Sequence, residues 1–324
     1  MTKLITILDT SIGSYNMGDY IVVDGVRSQL KQILPSADMF VTAPTHEVIA
    51  EHSRKMIAQS EYAFVAGTNL LNSSQNIGGG SQWRLRFKDV MELRDLILMG
   101  VGWGDYQGKP NFRAKFIYNK ILSKQYWHSV RDAYTKEKLA QIGITNVINT
   151  GDMTLWGLTP DVTSQIPVAK GKEVITTITD YRADPKNDEL MLATLIRNYE
   201  KVYLWIQGHQ DEIYFDSLSS EYTEKIIKID PSLEAYDHFL MNNDDLDFVG
   251  TRLHAGIRAM QKGHRTLIIG VDNRAIEMQK DFAINVLRRS NLAELETIIN
   301  GTLDSMLTLN FEGISQWKRQ FIDE

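Results

Sequence analysis

Asp245-Leu-Asp-Phe-Val249, Gly250-Thr-Arg-Leu-His-Ala-Gly-Ile-Arg-Ala-Met-Gln-Lys-Gly263 and, two residues on, Thr266-Leu-Ile-Ile-Gly-Val271 follow one another and have different periods. The first piece is a short apolar run closed by glycine, which predicts a strand. The second carries Leu253, Ile257 and Met260 at i, i+4 and i+7, the stripe of a helix that buries one face. The third is almost wholly apolar, as a strand covered on both sides must be. Strand, helix, strand in so few residues is a βαβ unit and predicts a parallel sheet. In such sheets ligands collect outside the carboxyl ends of the strands, where turns and helix N-termini present charges and backbone N–H groups. Arg252 and His254 stand at that turn.

The same alternation runs through the chain. Strands are expected at Leu4–Leu8, Met39–Val41, Tyr62–Val65, Leu96–Met99, His128–Val130 and Val147–Ile148, with helices such as Asn111–Lys124 and Ala133–Ile142 between them. They resume at Val174–Ile178, Val202–Ile206, Ile226–Ile229, Asp247–Val249 and Leu267–Ile269. Between the two series lies a stretch punctuated by proline and glycine that has neither period. The reading is α/β: two doubly wound Rossmann-like domains facing a cleft, with C-terminal helices. The expected division is an N-terminal domain over 1–157, a linker over 158–172, a C-terminal domain over 173–287 and a helical extension over 288–324.

Composition narrows the function. The chain has 324 residues, enough for two cores, and its 43% hydrophobic and 23% charged content is that of a globular protein. A net charge of -6 argues against a nucleic-acid partner, which would need a broad basic face. The absence of cysteine removes disulfides, thiolate nucleophiles and Cys-ligated metals. His46 and His52 lack metal-pair spacing, so no metal site is expected. The N-terminal stretch has no signal-peptide pattern, and no run approaches the roughly 18 to 20 apolar residues of a membrane span. A cytoplasmic protein is expected.

Strand-end cations recur. Ser129-Val-Arg131-Asp132 places Arg131 between a short strand and a helix, and Asp272-Asn-Arg274 does the same after Leu267–Ile269. With Arg252 and His254 they would bring positive charge to the cleft. Near the N-terminus, Asn16-Met-Gly18-Asp19 opens a helix after the first strand. Its small and polar residues would let backbone amides approach a ligand, or Asn16 or Asp19 would simply cap the helix. The spacing matches neither the dinucleotide fingerprint nor the P-loop. Weaker signals are the glycines of Gly100-Val-Gly-Trp-Gly104, the group His209-Gln-Asp211, and Trp83-Arg-Leu-Arg86-Phe87, which could stack a sugar ring or pack on the surface. The long loop from Asn69 to Lys88, with Ile77-Gly-Gly-Gly80, would be a lid or a surface excursion.

Taken in order, these blocks resemble the polysaccharide pyruvyl transferase family. They are Asn16-Met-Gly18-Asp19, Ala66-Gly67-Thr-Asn69, Ser129-Val-Arg131-Asp132, Gly151-Asp152, Gln207 to Asp211, and Arg252-Leu-His254-Ala255. The resemblance implies a fold like the B-type glycosyltransferases. It also implies transfer of the enolpyruvyl group of phosphoenolpyruvate onto sugar hydroxyls of a polysaccharide or its precursor, forming a pyruvate ketal. No cofactor is implied beyond this donor. Arg131 and His254 would be catalytic, and Arg274, Arg252, Asn16, Gly18, Asp19, Gly67, Asn69 and Asp152 would bind substrate. Arg274 stands where relatives commonly carry lysine, and its fork would grip a phosphate bidentately. A lipid-linked acceptor would bring transient contact with the inner face of a membrane. The rival readings are a nucleotide-sugar glycosyltransferase, which would use Asp272 for a ribose and Trp205 for a base, and a noncatalytic sugar-binding protein.

Overall fold

The computed structural model describes residues 3–77 and 81–322. They form two compact units, the first drawn from 1–14, 22–156 and 309–324, the second from 15–21 and 157–308. The first holds β1 (Leu4–Asp9), most of α1 (Met17–Ile33), β2 (Met39–Pro44), α2 (Glu51–Gln59), β3 (Tyr62–Ala66), α3 (Phe87–Glu92), β4 (Leu96–Met99), α4 (Phe112–Ile121), β5 (His128–Val130), α5 (Ala133–Ala140) and β6 (Val147–Asn149). The second holds α6 (Pro160–Thr163), β7 (Glu173–Thr176), α7 (Pro185–Asn198), β8 (Lys201–Trp205), α8 (Asp211–Asp216), α9 (Ser220–Thr223), β9 (Ile226–Ile229), α10 (Leu233–Met241), β10 (Leu246–Gly250), α11 (Leu253–Gln261), β11 (Thr266–Gly270), α12 (Asn273–Phe282), β12 (Val286–Arg288) and α13 (Leu295–Asn300). The chain then returns to the first unit through α14 (Phe311–Arg319).

In the first unit β2-β1-β3-β4 form a four-stranded parallel sheet, and β5 pairs with β6. The runs Ile5–Leu8, Phe64–Ala66 and Leu96–Met99 are buried, as strands covered on both faces require. Beyond β4 the chain continues alongside β5, with Gly100 N donating to Ser129 O and Arg131 N to Val101 O, each at 3.1 Å. His128 is fully buried there. Its Nδ1 accepts from Leu98 N at 3.2 Å and its Nε2 bonds Ser123 O at 2.9 Å, while burial pulls the imidazole pKa down to about 4.

The second unit is one parallel sheet of six strands in the order β12-β11-β10-β7-β8-β9. The chain leaves β7 in one direction through β8 and β9, then returns to lay β10, β11 and β12 on the other side. The crevice between β7 and β10 is therefore the switch point at which doubly wound sheets hold ligands. α11 lies tightly on this sheet: a methyl group on Gly256 would come within 2.8 Å of Ile268 and 2.9 Å of Phe248.

The units are drawn differently from the expected division. The stretch read as a linker contains α6 and buries Leu158 and Ile166. The stretch read as a helical extension is divided. Leu292, Leu295 and Ile299 complete the core of the second unit, whereas Trp317 and Phe321 pack on Phe64 of the first at ring separations of 5.9 and 5.1 Å. β12 is not among the expected strands, because three residues at a sheet edge are too few to show a period. His46 lies outside any helix. Trp83 is buried in the core, so it neither stacks a ligand nor lies on the surface. In the loop after Asn69, Leu70, Leu71 and Leu85 are buried and Gln75 Nε2 donates to Trp83 O at 2.9 Å; Gly78–Gly80 lie outside the described residues.

Candidate functional site

At the second unit's switch point, Gly250 leaves β10 pressed on Thr177, where a methyl group would come within 2.5 Å of Thr177 Oγ1. Arg252 N donates to that hydroxyl at 3.1 Å, which fixes the turn into α11. The Arg252 side chain is buried. Its Nε donates to Ile178 O at 3.1 Å and Asp211 Oδ2 at 3.0 Å, and its Nη2 donates to Asp180 Oδ1 at 2.9 Å and again to Asp211. Burial pushes the Asp211 carboxyl up to about 6, against the pull of Arg252. Arg252 is thus neutralised by two carboxylates from β7 and β8 loops and holds the turn together. Its Cζ also lies 4.9 Å from the Tyr181 ring centroid. Arg274, in the first turn of α12, pairs with Asp272 and donates to the Tyr181 hydroxyl, so Arg252 and Arg274 share one aromatic neighbour.

His254 occupies the first turn of α11 and is 3% exposed. The N-terminus of α1, which groups with this unit, comes up against it. Met17 N donates to Gln207 O at 2.9 Å, and Asn16 Oδ1 accepts from Gln207 Nε2 at 2.8 Å and from Gly18 N at 3.0 Å. A methyl group on Gly18 would lie 2.9 Å from Gln207 Nε2 and 3.1 Å from both Asn16 Oδ1 and His254 Nδ1. Two helix N-termini and an imidazole therefore meet within one unit. The first-turn amides of α1 are taken up by Gln207 O, Asn16 Oδ1 and Asn16 O, so what the two N-termini bring to an anion is the positive end of each helix dipole. Asp19 is buried in the same first turn of α1, its N donating to Asn16 O at 3.0 Å. Of the residues expected at a site, the structure brings Asn16, Gly18, Asp19 and His254 together here.

Sequence reasoning passed over Gln207 as a site residue. It is 4% exposed, and its Oε1 has no hydrogen-bond partner among the described residues. The signal was its position directly after Leu204-Trp-Ile206 at a strand's carboxyl end. Trp205 is buried and stacks on Tyr236 at 4.0 Å, which leaves no face for a nucleotide base.

In the first unit, Arg131 ends β5 with a fully buried side chain. Its Nε donates to Asp132 Oδ2 at 3.1 Å and its Nη1 to Asn69 Oδ1 at 2.5 Å, while Asp132 Oδ1 caps α5 through Thr135 N at 2.7 Å. The surrounding glycines are required by close approach. A methyl group on Gly102 would come within 2.2 Å of Arg131 Cζ, and one on Gly67 within 2.4 Å of Gly100 O. Gly67, Asn69 and Arg131 are thereby gathered at the carboxyl ends of β3 and β5. Asp152 caps the turn Met153–Leu155 through Thr154 N at 3.0 Å, and that turn packs on Gly100, where a methyl group would come within 3.1 Å of Met153 N. Among the described residues no cluster could hold a metal ion, and no helix is long and apolar enough to cross a membrane.

Parallel sheets wound on both faces, with polar groups gathered where the winding reverses, define an α/β protein of the ligand-binding, doubly wound class. The sequence profile of the polysaccharide pyruvyl transferases matches residues 16–273, and the chain belongs to that family. No curated protein matches it. Solved structures with a similar chain course include UDP-GlcNAc 2-epimerase from Neisseria meningitidis, at 10% identity over 98% of this chain and 100% of that one, with a TM-score of 0.46. E. coli ADP-heptose LPS heptosyltransferase II is similar at 12% identity over 92% and 98%, with a TM-score of 0.45. The wall teichoic acid polymerase TagF is similar at 10% identity over 98% and 82%, with a TM-score of 0.44.

Proposed function

We propose that this protein transfers the enolpyruvyl group of phosphoenolpyruvate to a pair of hydroxyls on a saccharide acceptor, forming a pyruvate ketal. Family membership supports the reaction class. The observation that carries the donor assignment is the meeting of the α1 and α11 N-termini at His254, since phosphoenolpyruvate bears two anionic groups that such a locus favours. In the reaction the donor's methylene carbon gains a proton, its C2 gains two bonds to acceptor oxygens, and the C2–O bond to phosphate breaks. The two hydroxyls release two protons, one balancing the new methyl group and the other leaving with phosphate. His254 is the group proposed to move protons between these atoms, as general base in one step and acid in another. Gln207 Oε1 is suited to accept from a substrate hydroxyl, and the missing side chain at Gly18 leaves room for the ends of Asn16, Gln207 and His254 to come together. Arg274 is the proposed phosphate-binding cation of the second unit, and Arg131 of the first unit is proposed as a second residue on which activity depends.

The test is a thermal-shift titration with phosphoenolpyruvate and, separately, a nucleotide sugar, on wild type, His254→Ala and Arg131→Ala. Saturable stabilisation by phosphoenolpyruvate that His254→Ala weakens is expected, and Arg131→Ala reads whether donor binding depends on the first unit as well. Stabilisation by the nucleotide sugar alone would overturn the donor assignment. With an acceptor in hand, turnover retained by His254→Ala would remove its proton-transfer role.

A further inference from the structure

The helix α4 presents an outer face that the reaction does not use. Its inner face buries Ala114, Ile117, Tyr118 and Ile121. The outer face carries Phe112, 84% exposed, and Phe116, 44% exposed, with Lys115, Asn119 and Lys120. Phe112 and Phe116 are spaced i, i+4 and therefore lie one above the other, as do Phe116 and Lys120. α3 packs against α4 and shows a second such pair, Phe87 at 65% and Met91 at 42% exposure. Isolated apolar side chains on a surface need no explanation, but repeated pairs on adjacent helices do.

Charge says what covers them. Between Asp105 and Arg131 the sequence has five cations, Lys109, Arg113, Lys115, Lys120 and Lys124, and no acidic residue, in a chain whose net charge is -6. The carboxylate that α3 offers nearby, Glu92, is engaged by Arg54 and Lys88. Exposed aromatics set among cations are the composition of a helix that lies in a bilayer interface, with rings at the acyl boundary and ammonium groups at anionic headgroups. A protein partner with an acidic rim would match the cations too, but here rings and cations alternate along one helix, Phe112, Lys115, Phe116 and Lys120, rather than dividing into an aromatic centre and a polar rim, which favours the bilayer. We propose that α4, with the adjoining α3, docks the first unit on an anionic lipid bilayer through Phe112, Phe116, Lys115 and Lys120.

The proposal is independent of the donor assignment and is tested without it. The full chain is sedimented with phosphatidylcholine vesicles and with vesicles in which about a third of the lipid is phosphatidylglycerol. Binding is expected to the anionic vesicles only, and to weaken as salt is raised. Phe112→Ser with Phe116→Ser should lower the partition coefficient about tenfold or more. Lys115→Glu with Lys120→Glu should lower it by roughly 25-fold or more, at about fivefold for each cation lost with the added carboxylates acting in the same direction. Lys186→Glu with Lys225→Glu, exposed cations of the second unit, should change it little. All four positions on α4 face outward, and urea unfolding is expected to show each pair as stable as the parent. Failure of the wild type to sediment with anionic vesicles, equal binding to neutral ones, or an equal loss in the second-unit control would each overturn the proposal. So would a concentration-dependent dimer abolished by the same α4 variants, which would make the face an interface between copies of the chain.

Discussion

Replacing Gly18 by alanine separates stability from binding in the second unit. Gly18 is helical and does not have a positive φ, so the backbone accepts alanine, and a helix gains roughly 0.5–1 kcal/mol from losing a glycine. The new methyl group would lie 2.9 Å from Gln207 Nε2 and 3.1 Å from Asn16 Oδ1 and His254 Nδ1. To regain ordinary contact these three side-chain ends must retreat by roughly 0.3 to 0.5 Å. All three are ends of side chains rather than backbone, so the fold yields at little cost, and unfolding free energy should stay within about 1 kcal/mol of wild type. A ligand held between them is less tolerant. If a misplacement of about 1 Å costs roughly a hundredfold, a shift of this size costs about tenfold, or about 1.4 kcal/mol. Urea denaturation followed by tryptophan fluorescence reads the first quantity, and calorimetric titration with phosphoenolpyruvate reads the second. An unchanged dissociation constant in a normally stable variant would refute the assignment of the crossing of α1 and α11 as the anion locus. A loss of more than about 2 kcal/mol of stability would instead show that the three side chains cannot give way.

Two further outcomes concern stability. The folded pKa of His128 lies at about 4, below the 6.5 of an unfolded histidine. As pH falls through that window the unfolded chain takes up the proton first, so stability present at pH 7 is lost, up to about 3 kcal/mol near pH 4. Wild type should lose more unfolding free energy than His128→Gln between pH 7 and 4.5, and parallel losses would refute the linkage. Asp247 and Arg265 form a buried pair at 2.6 Å, joined by the Tyr199 hydroxyl at 2.7 Å from Asp247. Asp247→Ala should cost about 3–5 kcal/mol by stranding the guanidinium, measurable by urea unfolding, and a cost below 1 kcal/mol would show that the carbonyls around Arg265 suffice.

Much of this was legible in the residues. Strands such as Leu96–Met99 and Thr266–Gly270 announce themselves because a parallel sheet buries both faces, and His254 because it stands one turn past such a strand. What stayed hidden depends on partners remote in the chain. Arg252 reads as an anion-binding candidate until Asp211 and Asp180, 41 and 72 residues away, are seen to neutralise it. Gln207 is marked in the sequence only by its place after Leu204–Ile206, and what singles it out is a buried oxygen with no hydrogen-bond partner among the described residues. Trp83 reads equally as a sugar platform or a surface residue because aromatics among arginines look alike until their burial is known.

The return of α14 gives the chain a particular order of assembly. Trp317, fully buried beside Phe64, belongs to the core of the first unit, yet residues 157–308, all of the second unit but its segment 15–21, are synthesised between Trp156 and the segment that carries it. At roughly 5–20 residues per second, a ribosome needs about 8 to 30 s to cross that interval. During that time Phe64, Trp156 and their neighbours wait for their covering helix while the second unit, whose strands follow one another without interruption, is free to close first. The second unit would thus be native before the first, whose aromatic core stays uncovered on the nascent chain throughout that interval.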